Sequence, residues 1–147
     1  MTMKQWQITD EWSFDGLKMV DVPRPEPGPG EVLLKMKAVS LNYRDYLMIG
    51  RGYGRMSGDL PLVPLSDGVG EVVALGEGVD GVAIGSRRLP CFIRDWYSGD
   101  SGPSVFASAL GGPLDGTARE YMSVPVASSV PVPAHFSDIE AATLCCA

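Results

Sequence analysis

Glycine and proline interrupt this chain so often that only short strands and helices fit between them. The 147 residues include 18 glycines and 12 prolines, scattered among apolar runs instead of being gathered into one low-complexity tract. Both residues end regular structure and favour turns. A chain of this length with 45% hydrophobic residues is large enough for one domain with its own core. The spacing therefore predicts a single domain of short strands joined by turns.

Six segments have the composition and alternation of strands. They are residues 4–9, 17–22, 31–41, 68–75, 86–93 and 119–124. The four prolines of residues 23–30 cannot donate ladder hydrogen bonds, so we expect a rigid connector there. Because strands dominate the first 130 residues, the predicted fold is mainly β, an antiparallel barrel or sandwich rather than alternating βαβ units.

Two short helices are predicted at the corners of this fold. Residues 42–49 begin at Asn42, a favoured N-cap residue. Residues 137–146 begin with a capping box, in which Ser137 stands three residues before Glu140. The apolar pattern of this second helix continues to the last residue without a stop signal. We therefore expect the chain to be part of a longer one.

Residues 76–81 match the GxGxxG pattern of dinucleotide-binding loops, and they follow a predicted strand. That pattern binds phosphate only where a helix opens directly after it. Here another glycine, Gly85, follows too soon for a helix, and Glu77 and Asp80 would repel a phosphate. We interpret the segment as a turn.

Charge and composition exclude several classes of partner. The net charge of −6 and the pI near 4.6 make nucleic acid an unfavourable partner. No apolar run approaches the roughly 20 residues of a membrane span, and the N-terminus lacks the apolar region of a secretory signal. The cysteines, Cys91, Cys145 and Cys146, are too few for a disulfide framework. A cytoplasmic location is therefore expected.

Residues 38–45 (AVSLNYRD) and 60–70 (LPLVPLSDGVG) resemble the catalytic domain of the medium-chain dehydrogenase/reductase superfamily. The resemblance extends to residues 25–31, 68–78, 115–121 and 137–147, in the same order and spacing. It implies a GroES-like fold, a partly open antiparallel β-barrel with short helices. It also implies that residues 1–147 are the catalytic (substrate) domain, truncated before a Rossmann cofactor domain.

The zinc ligands of this superfamily are mostly replaced here. In its zinc alcohol dehydrogenases a Cys stands three residues before an Asp, but Asn42 stands before Asp45. The following His-Glu pair of those enzymes corresponds to Ser66 and Asp67, and only Cys146 matches a ligand position. Catalytic zinc needs about three nitrogen, sulfur or carboxylate ligands. We therefore expect no zinc in this site.

A structural zinc site is also not expected, because the region that would hold its four cysteines, residues 91–113, contains only Cys91. The chain thus resembles the zinc-free, quinone oxidoreductase-like branch, in which an Asn replaces the ligand Cys and a Tyr lies in the following loop. Asn42 and Tyr53 match these two residues.

The resemblance implies hydride transfer between NADP or NAD and a small quinone, conjugated carbonyl, alcohol or aldehyde. The catalytic candidates are Asn42, Tyr53, Ser66 and Asp67, since hydrogen-bond donors must replace the metal at the substrate oxygen. Tyr43 and Arg44 are the candidates for contact with the nicotinamide ribose. The isolated domain is expected to be inactive, and exposed apolar surface could lead it to form a homo-oligomer.

Other interpretations stay open at this point. A free GroES-like barrel could be a binding or assembly module without catalysis. The protein could be a zinc alcohol dehydrogenase with divergent ligands. Asn42 could serve only as a helix cap, Tyr53 as a loop anchor, and the Ser66–Asp67 pair as an ordinary turn.

Overall fold

Seven antiparallel strands in two sheets form the framework of the fold. The structure is a computed structural model that describes residues 1–146. The strands are β1 (Thr2–Ile8), β2 (Leu17–Pro23), β3 (Glu31–Ser40), β4 (Asp67–Leu75), β5 (Arg87–Pro90), β6 (Tyr121–Pro125) and β7 (Ser129–Pro131). Strands β1 and β2 form a ribbon, and the other five form a sheet in the order β6-β3-β4-β5-β7. The prediction of a mainly β, antiparallel fold is confirmed.

Strand β3 lies next to the middle strand of the five-stranded sheet and leads directly to Asn42. It pairs with β4 along most of its length and with β6 over Glu31–Lys35. Two register shifts against β4, one of them between Met36 and Ala38, are the kind of irregularity that bends a strand and increases its twist. The sheet therefore curls into a half-barrel. The same pairing places Ser40, the last residue of β3, opposite Asp67, the first of β4.

The helices are short and pack against this sheet. Helix α1 (Tyr43–Arg51) follows β3 directly, and helix α2 (Asp138–Ala141) lies near the end of the chain. The buried residues form clusters between the elements. Val32, Leu34, Val72 and Val124 pack between β3, β4 and β6; Ile8, Met48, Ile49 and Leu62 join α1 to β1; Val69, Leu89, Ala141 and Ala142 join α2 to the sheet. Among the described residues, no helix has the length and apolarity needed to cross a membrane.

Two predicted elements are shorter in the structure, and one strand was not predicted. The strand predicted over residues 86–93 extends only over Arg87–Pro90. The helix predicted over residues 137–146 has its capping box, with Ser137 N–H donating to Glu140 Oε2 at 2.9 Å. It is nevertheless helical only over Asp138–Ala141. Beyond that point the backbone tightens into i→i−3 hydrogen bonds, such as Leu144 N–H to Ala141 O, and Cys145 packs against the core. Strand β7 was not predicted, because three residues are too few for an alternation to be visible.

The glycine motif at residues 76–81 is a turn between β4 and β5, as predicted. No helix opens after it, so it cannot present a helix N-terminus to a phosphate. Its first glycine has a packing role instead. A Cβ on Gly76 would lie 1.8 Å from the carbonyl oxygen of Gly28, so only glycine allows the two backbones to approach this closely.

Candidate functional site

The pairing of β3 with β4 brings together two of the residues predicted from separate motifs. Asn42 lies just after β3, and its Nδ2 donates a hydrogen bond to Asp67 Oδ2 at 3.0 Å. Ser40 Oγ also donates to Asp67 Oδ2, at a longer 3.4 Å. Asp67 is fully buried. The centre of the site is therefore a side-chain amide held by a buried carboxylate.

A second buried carboxylate holds Asn42 from the other side. Asn42 is the N-cap residue of α1, as predicted, with an extended backbone. Asp45, in the first turn, accepts a hydrogen bond from the backbone N–H of Asn42 at 2.8 Å. Asp45 is only 1% exposed. Backbone and side chain of Asn42 are thus each fixed by a different carboxylate, which restricts the orientation of its amide.

Ser66 and Thr117 complete the buried polar cluster. Thr117 Oγ1 donates to the backbone carbonyl of Asp67 at 2.8 Å, and so fixes the start of β4. Ser66 is fully buried as well. Three buried oxygens, Ser66 Oγ, Asp45 Oδ1 and Asp67 Oδ1, have no hydrogen-bond partner within the described part of the chain. Unpaired buried polar atoms cost stability and are uncommon outside functional sites.

Ser40 and Thr117 were missed at the level of sequence. Ser40 occupies an alternating position of β3, where a serine is unremarkable. Thr117 lies 50 residues from Asp67 along the chain, in the segment at residues 115–121 that carries part of the family resemblance. That segment was the only signal available, and it gave no role for the hydroxyl.

Burial raises the pKa of the Asp45 carboxyl above its usual range. The backbone hydrogen bond from Asn42 and the nearby Arg44 guanidinium act in the opposite direction, and Asp67 adds to the rise. The net direction means that the environment of the folded state favours the protonated form. Ionised Asp45 is therefore a cost to stability that the site tolerates.

This cost predicts a pH dependence for Asp45→Asn, which removes the charge but keeps an oxygen to accept the Asn42 N–H. Because the pKa of Asp45 is raised in the folded state, its contribution to the free energy of unfolding is most favourable below about pH 4, which is near the pKa of an Asp in the unfolded chain. It falls as the pH rises through the folded pKa. The free energy of unfolding of the wild type, minus that of Asp45→Asn, should therefore decrease between about pH 4 and neutrality. Urea titrations at several pH values measure this difference, and a difference that stays flat or grows with pH would contradict it.

Arg44, a predicted cofactor contact, is engaged inside the domain. Its Nη1 donates to Leu110 O at 3.0 Å and its Nη2 to Gly112 O at 3.2 Å. The guanidinium also lies over the ring of Phe92, 4.9 Å from the centroid, and 3.7 Å from Asp45 Oδ1. The side chain therefore clamps the loop at residues 110–112 to α1, and at 12% exposure it presents little of its surface to a cofactor.

Tyr43 and Tyr53 point to solvent. Tyr43, the first residue of α1, is 76% exposed and stacks on Tyr46 with ring centroids 6.2 Å apart. Its position suits a contact with a molecule outside the domain. Tyr53 is 39% exposed and occupies the N-cap position of the short 3₁₀ helix Gly54–Met56. The predicted roles of both tyrosines remain predictions.

The residues at the family's zinc positions do not suit zinc. Asn42 turns its NH₂ group to Asp67, and a nitrogen that donates hydrogens has no lone pair to offer a metal. A serine hydroxyl, as in Ser66, is not among the usual ligands either. Cys146 is half-buried, whereas its neighbour Cys145 packs into the core, where burial raises the pKa of its thiol to about 12. Within residues 1–146, no three His, Cys, Asp or Glu side chains form a metal-binding group.

Asn42 and Asp67 lie outside the apolar cleft of this domain. An apolar cleft of about 590 Å³ lies between the β1–β2 ribbon and the second half of β3, and neither Asn42 nor Asp67 lines it. A reaction at Asn42 would therefore need other surfaces to exclude water from the reactants.

A curled antiparallel half-barrel with few short helices is the architecture of a GroES-like domain. The chain belongs to the alcohol dehydrogenase GroES-like domain family, whose match covers residues 28–134. This family lies within the medium-chain dehydrogenase/reductase superfamily of oxidoreductases. The resemblance inferred from the sequence is confirmed.

Individual relatives agree with this assignment. The chain is 42% identical to a zinc-type alcohol dehydrogenase-like protein of Schizosaccharomyces pombe, covering 97% of this chain and 42% of the relative. It is 34% identical to an acryloyl-coenzyme A reductase of Metallosphaera sedula, covering 89% of this chain and 41% of the relative. A solved structure from Sinorhizobium meliloti 1021, described as an alcohol dehydrogenase, superposes with a TM-score of 0.87 at 34% identity, covering 97% of this chain and 42% of that one. The chain thus spans about two fifths of the length of these relatives.

Proposed function

We propose that this chain is the catalytic domain of a zinc-independent, NAD(P)H-dependent oxidoreductase that reduces a quinone or a conjugated carbonyl, or interconverts an alcohol and an aldehyde. The observation that carries the proposal is the Asn42 side-chain amide, which donates to the buried Asp67 carboxylate while the backbone N–H of the same residue donates to the buried Asp45 carboxylate. No step of the proposed reaction runs through zinc, because the residues at the family's zinc positions do not suit it.

In the proposed reaction, hydrogen-bond donors act on the substrate oxygen. An asparagine nitrogen carries two hydrogens, and one of them is given to Asp67. The other is available to donate to the oxygen that gains negative charge. Donors fixed in advance in a dry site stabilise such charge without reorganising. Tyr53 is the second proposed donor, and Asp67 holds the Asn42 amide. The proton that completes a reduction is proposed to come from Tyr53, Ser66 or water.

The nicotinamide cofactor, when bound, supplies or accepts the hydride. Of the two residues predicted to contact it, Tyr43 suits the role, because its exposed ring at the start of α1 faces outward. Arg44 suits it poorly, because its guanidinium already bonds two carbonyls of its own domain. We therefore assign most of the cofactor binding to a Rossmann domain in a longer form of the protein. The length of the relatives supports this assignment, and the isolated domain is expected to be inactive. We also propose that this protein works in the cytoplasm.

The test is Asn42→Ala in a longer form of the protein that carries the cofactor domain. Removing one preorganised donor should lower kcat/KM by about 10²–10³-fold, measured as nicotinamide oxidation with quinones, conjugated carbonyls and aldehydes. Gln7→Ala, which truncates an amide on β1, is the matched control and should leave kcat/KM within about twofold, because surface changes away from a site have small effects.

Two outcomes would contradict the proposal. Unchanged kcat/KM in folded Asn42→Ala would remove the role of the amide. Stoichiometric zinc in the purified protein, with activity lost on chelation, would favour the alternative of a zinc alcohol dehydrogenase with divergent ligands.

A further inference from the structure

Asp67 cannot itself reach a substrate, although it lies at the centre of the site. Its side chain is fully buried, and the partners of its Oδ2 are Asn42 Nδ2 and Ser40 Oγ. Its backbone is held in turn by Thr117 Oγ1. Any effect of Asp67 on a reaction must therefore pass through one of these contacts.

The contact with Asn42 has a chemical consequence. An ionised carboxylate only accepts hydrogen bonds, whereas the two ends of an asparagine amide differ, since Oδ1 accepts and Nδ2 donates. Facing Asp67, the amide must therefore present Nδ2. A neutral partner that both donates and accepts would allow the amide to rotate by 180°, which exchanges the positions of Oδ1 and Nδ2.

The groups around Asp67 are consistent with a carboxylate that accepts from both neighbours. Strand β3 contributes only the neutral donors Ser40 and, directly after it, Asn42. Helix α1 contributes the buried Asp45 and the Arg44 guanidinium near it. The segment after α2 contributes Cys145, a thiol that stays neutral at physiological pH. The hydrogen bonds from Ser40 and Asn42 are both donated to the same oxygen, Asp67 Oδ2.

We propose that Asp67 is a positioning residue, braced by Ser40 and Thr117, which fixes the Asn42 amide so that its second N–H faces the reacting oxygen. This inference rests on the proposed function for its catalytic meaning. The orientation of the amide itself does not depend on that function. A fully buried carboxylate with one unpaired oxygen is costly to keep for stability alone.

The orientation is tested in the 147-residue chain by NMR of the Asn42 side-chain NH₂ group. In the wild type, its two protons should have well-separated shifts, with slow exchange for the one bonded to Asp67. In Asp67→Asn, which keeps the shape of the side chain, the separation should shrink and exchange with water should accelerate at least about tenfold. Asp80→Asn, an exposed carboxylate on the turn after β4, is the matched control and should leave these signals unchanged. Unaltered Asn42 signals in folded Asp67→Asn would overturn the proposal.

The catalytic consequence is tested by a double-mutant cycle in the longer protein. Displacing a donor by about 1 Å costs on the order of 100-fold in rate, so Asp67→Asn should lower kcat by 10- to 100-fold. If Asp67 acts through Asn42, the double variant Asn42→Ala/Asp67→Asn should be no slower than Asn42→Ala alone. If the two losses in kcat multiply in the double variant, Asp67 acts independently of Asn42, and the proposal is overturned. If instead Asn42→Ala were fully active, the proposed function would fail while the NMR result still decided the orientation.

Discussion

Gly116→Ala should lower the free energy of unfolding by about 3 kcal/mol, because a side chain does not fit where two backbone segments touch. A Cβ at this position would lie 1.8 Å from the carbonyl oxygen of Leu65 and 2.5 Å from that of Pro64. The backbones are held in this contact by hydrogen bonds, including Gly116 N–H to Val63 O at 2.7 Å. The clash cannot be relieved by a rotamer change, so one segment must move.

The displaced segment would carry the site with it. Leu65 directly precedes Ser66 and Asp67, and Thr117, which follows Gly116, holds the backbone of Asp67. We therefore expect two effects of the substitution. The free energy of unfolding should fall, and the NMR chemical shifts of the Asn42 side chain in the folded molecules should differ from those of the wild type. Urea denaturation measures the loss of stability.

Gly102→Ala is the matched control for Gly116→Ala. Its Cβ would meet only Ser104 Oγ, at 3.9 Å, and its φ of −79° is allowed to any residue. The free energy of unfolding should change by less than about 1 kcal/mol, because the entropy that Ala removes from the unfolded chain is offset by the preference for Gly over Ala at a helix N-cap. Equal losses in the two variants would show that the contact at Gly116 is not what makes glycine necessary there.

Arg44→Ala should cost about 3 kcal/mol of stability. Hydrogen bonds from a charged group contribute roughly 1.5–3 kcal/mol each, and the guanidinium makes two, to Leu110 O and Gly112 O. Water that enters part of the space left by the side chain can donate hydrogen bonds to the two carbonyls, which reduces the loss of stability. The change also removes the cation that lies 3.7 Å from the buried Asp45, which leaves a less compensated carboxylate.

Arg51→Ala is the matched control, because it also removes a positive charge from α1 but no hydrogen bond to the loop at residues 110–112. Arg51 is exposed in the last turn of the same helix, where a cation contributes about 0.3–1 kcal/mol through the helix dipole. Thermal and urea unfolding of the two variants should therefore differ clearly. If Arg44→Ala is as stable as Arg51→Ala, the guanidinium is not a structural clamp, and its assignment to the cofactor regains support.

The fate of Arg44 illustrates why a motif does not by itself assign a role. In the sequence, Arg44 stands two residues after Asn42 and directly after Tyr43. The family resemblance implies that both Tyr43 and Arg44 contact the cofactor. Whether its guanidinium faces outward or inward depends on the carbonyls at residues 110–112, which are more than 60 residues away along the chain. Asp45 is similar, since its burial and its raised pKa arise from packing that no local pattern encodes.

Local chemistry encodes much of the fold, and the sequence therefore predicted it. Proline and glycine fix where strands must end, alternation marks which residues face a core, and a serine followed by a glutamate marks a helix start. These signals located β1 to β6, the start of each helix and the turn at residues 76–81. The order of the motifs also identified the family.

The sequence by itself determined strands β1 to β6, the turn at residues 76–81 and the family. Only the tertiary structure decided that Asn42 bonds Asp67 across 25 residues, that Thr117 supports Asp67 from a third segment, and that α2 ends after four residues. The physical reason is that propensity and periodicity are properties of neighbouring residues. A hydrogen bond between distant side chains depends instead on strand register, and a register exists only once the sheet has formed.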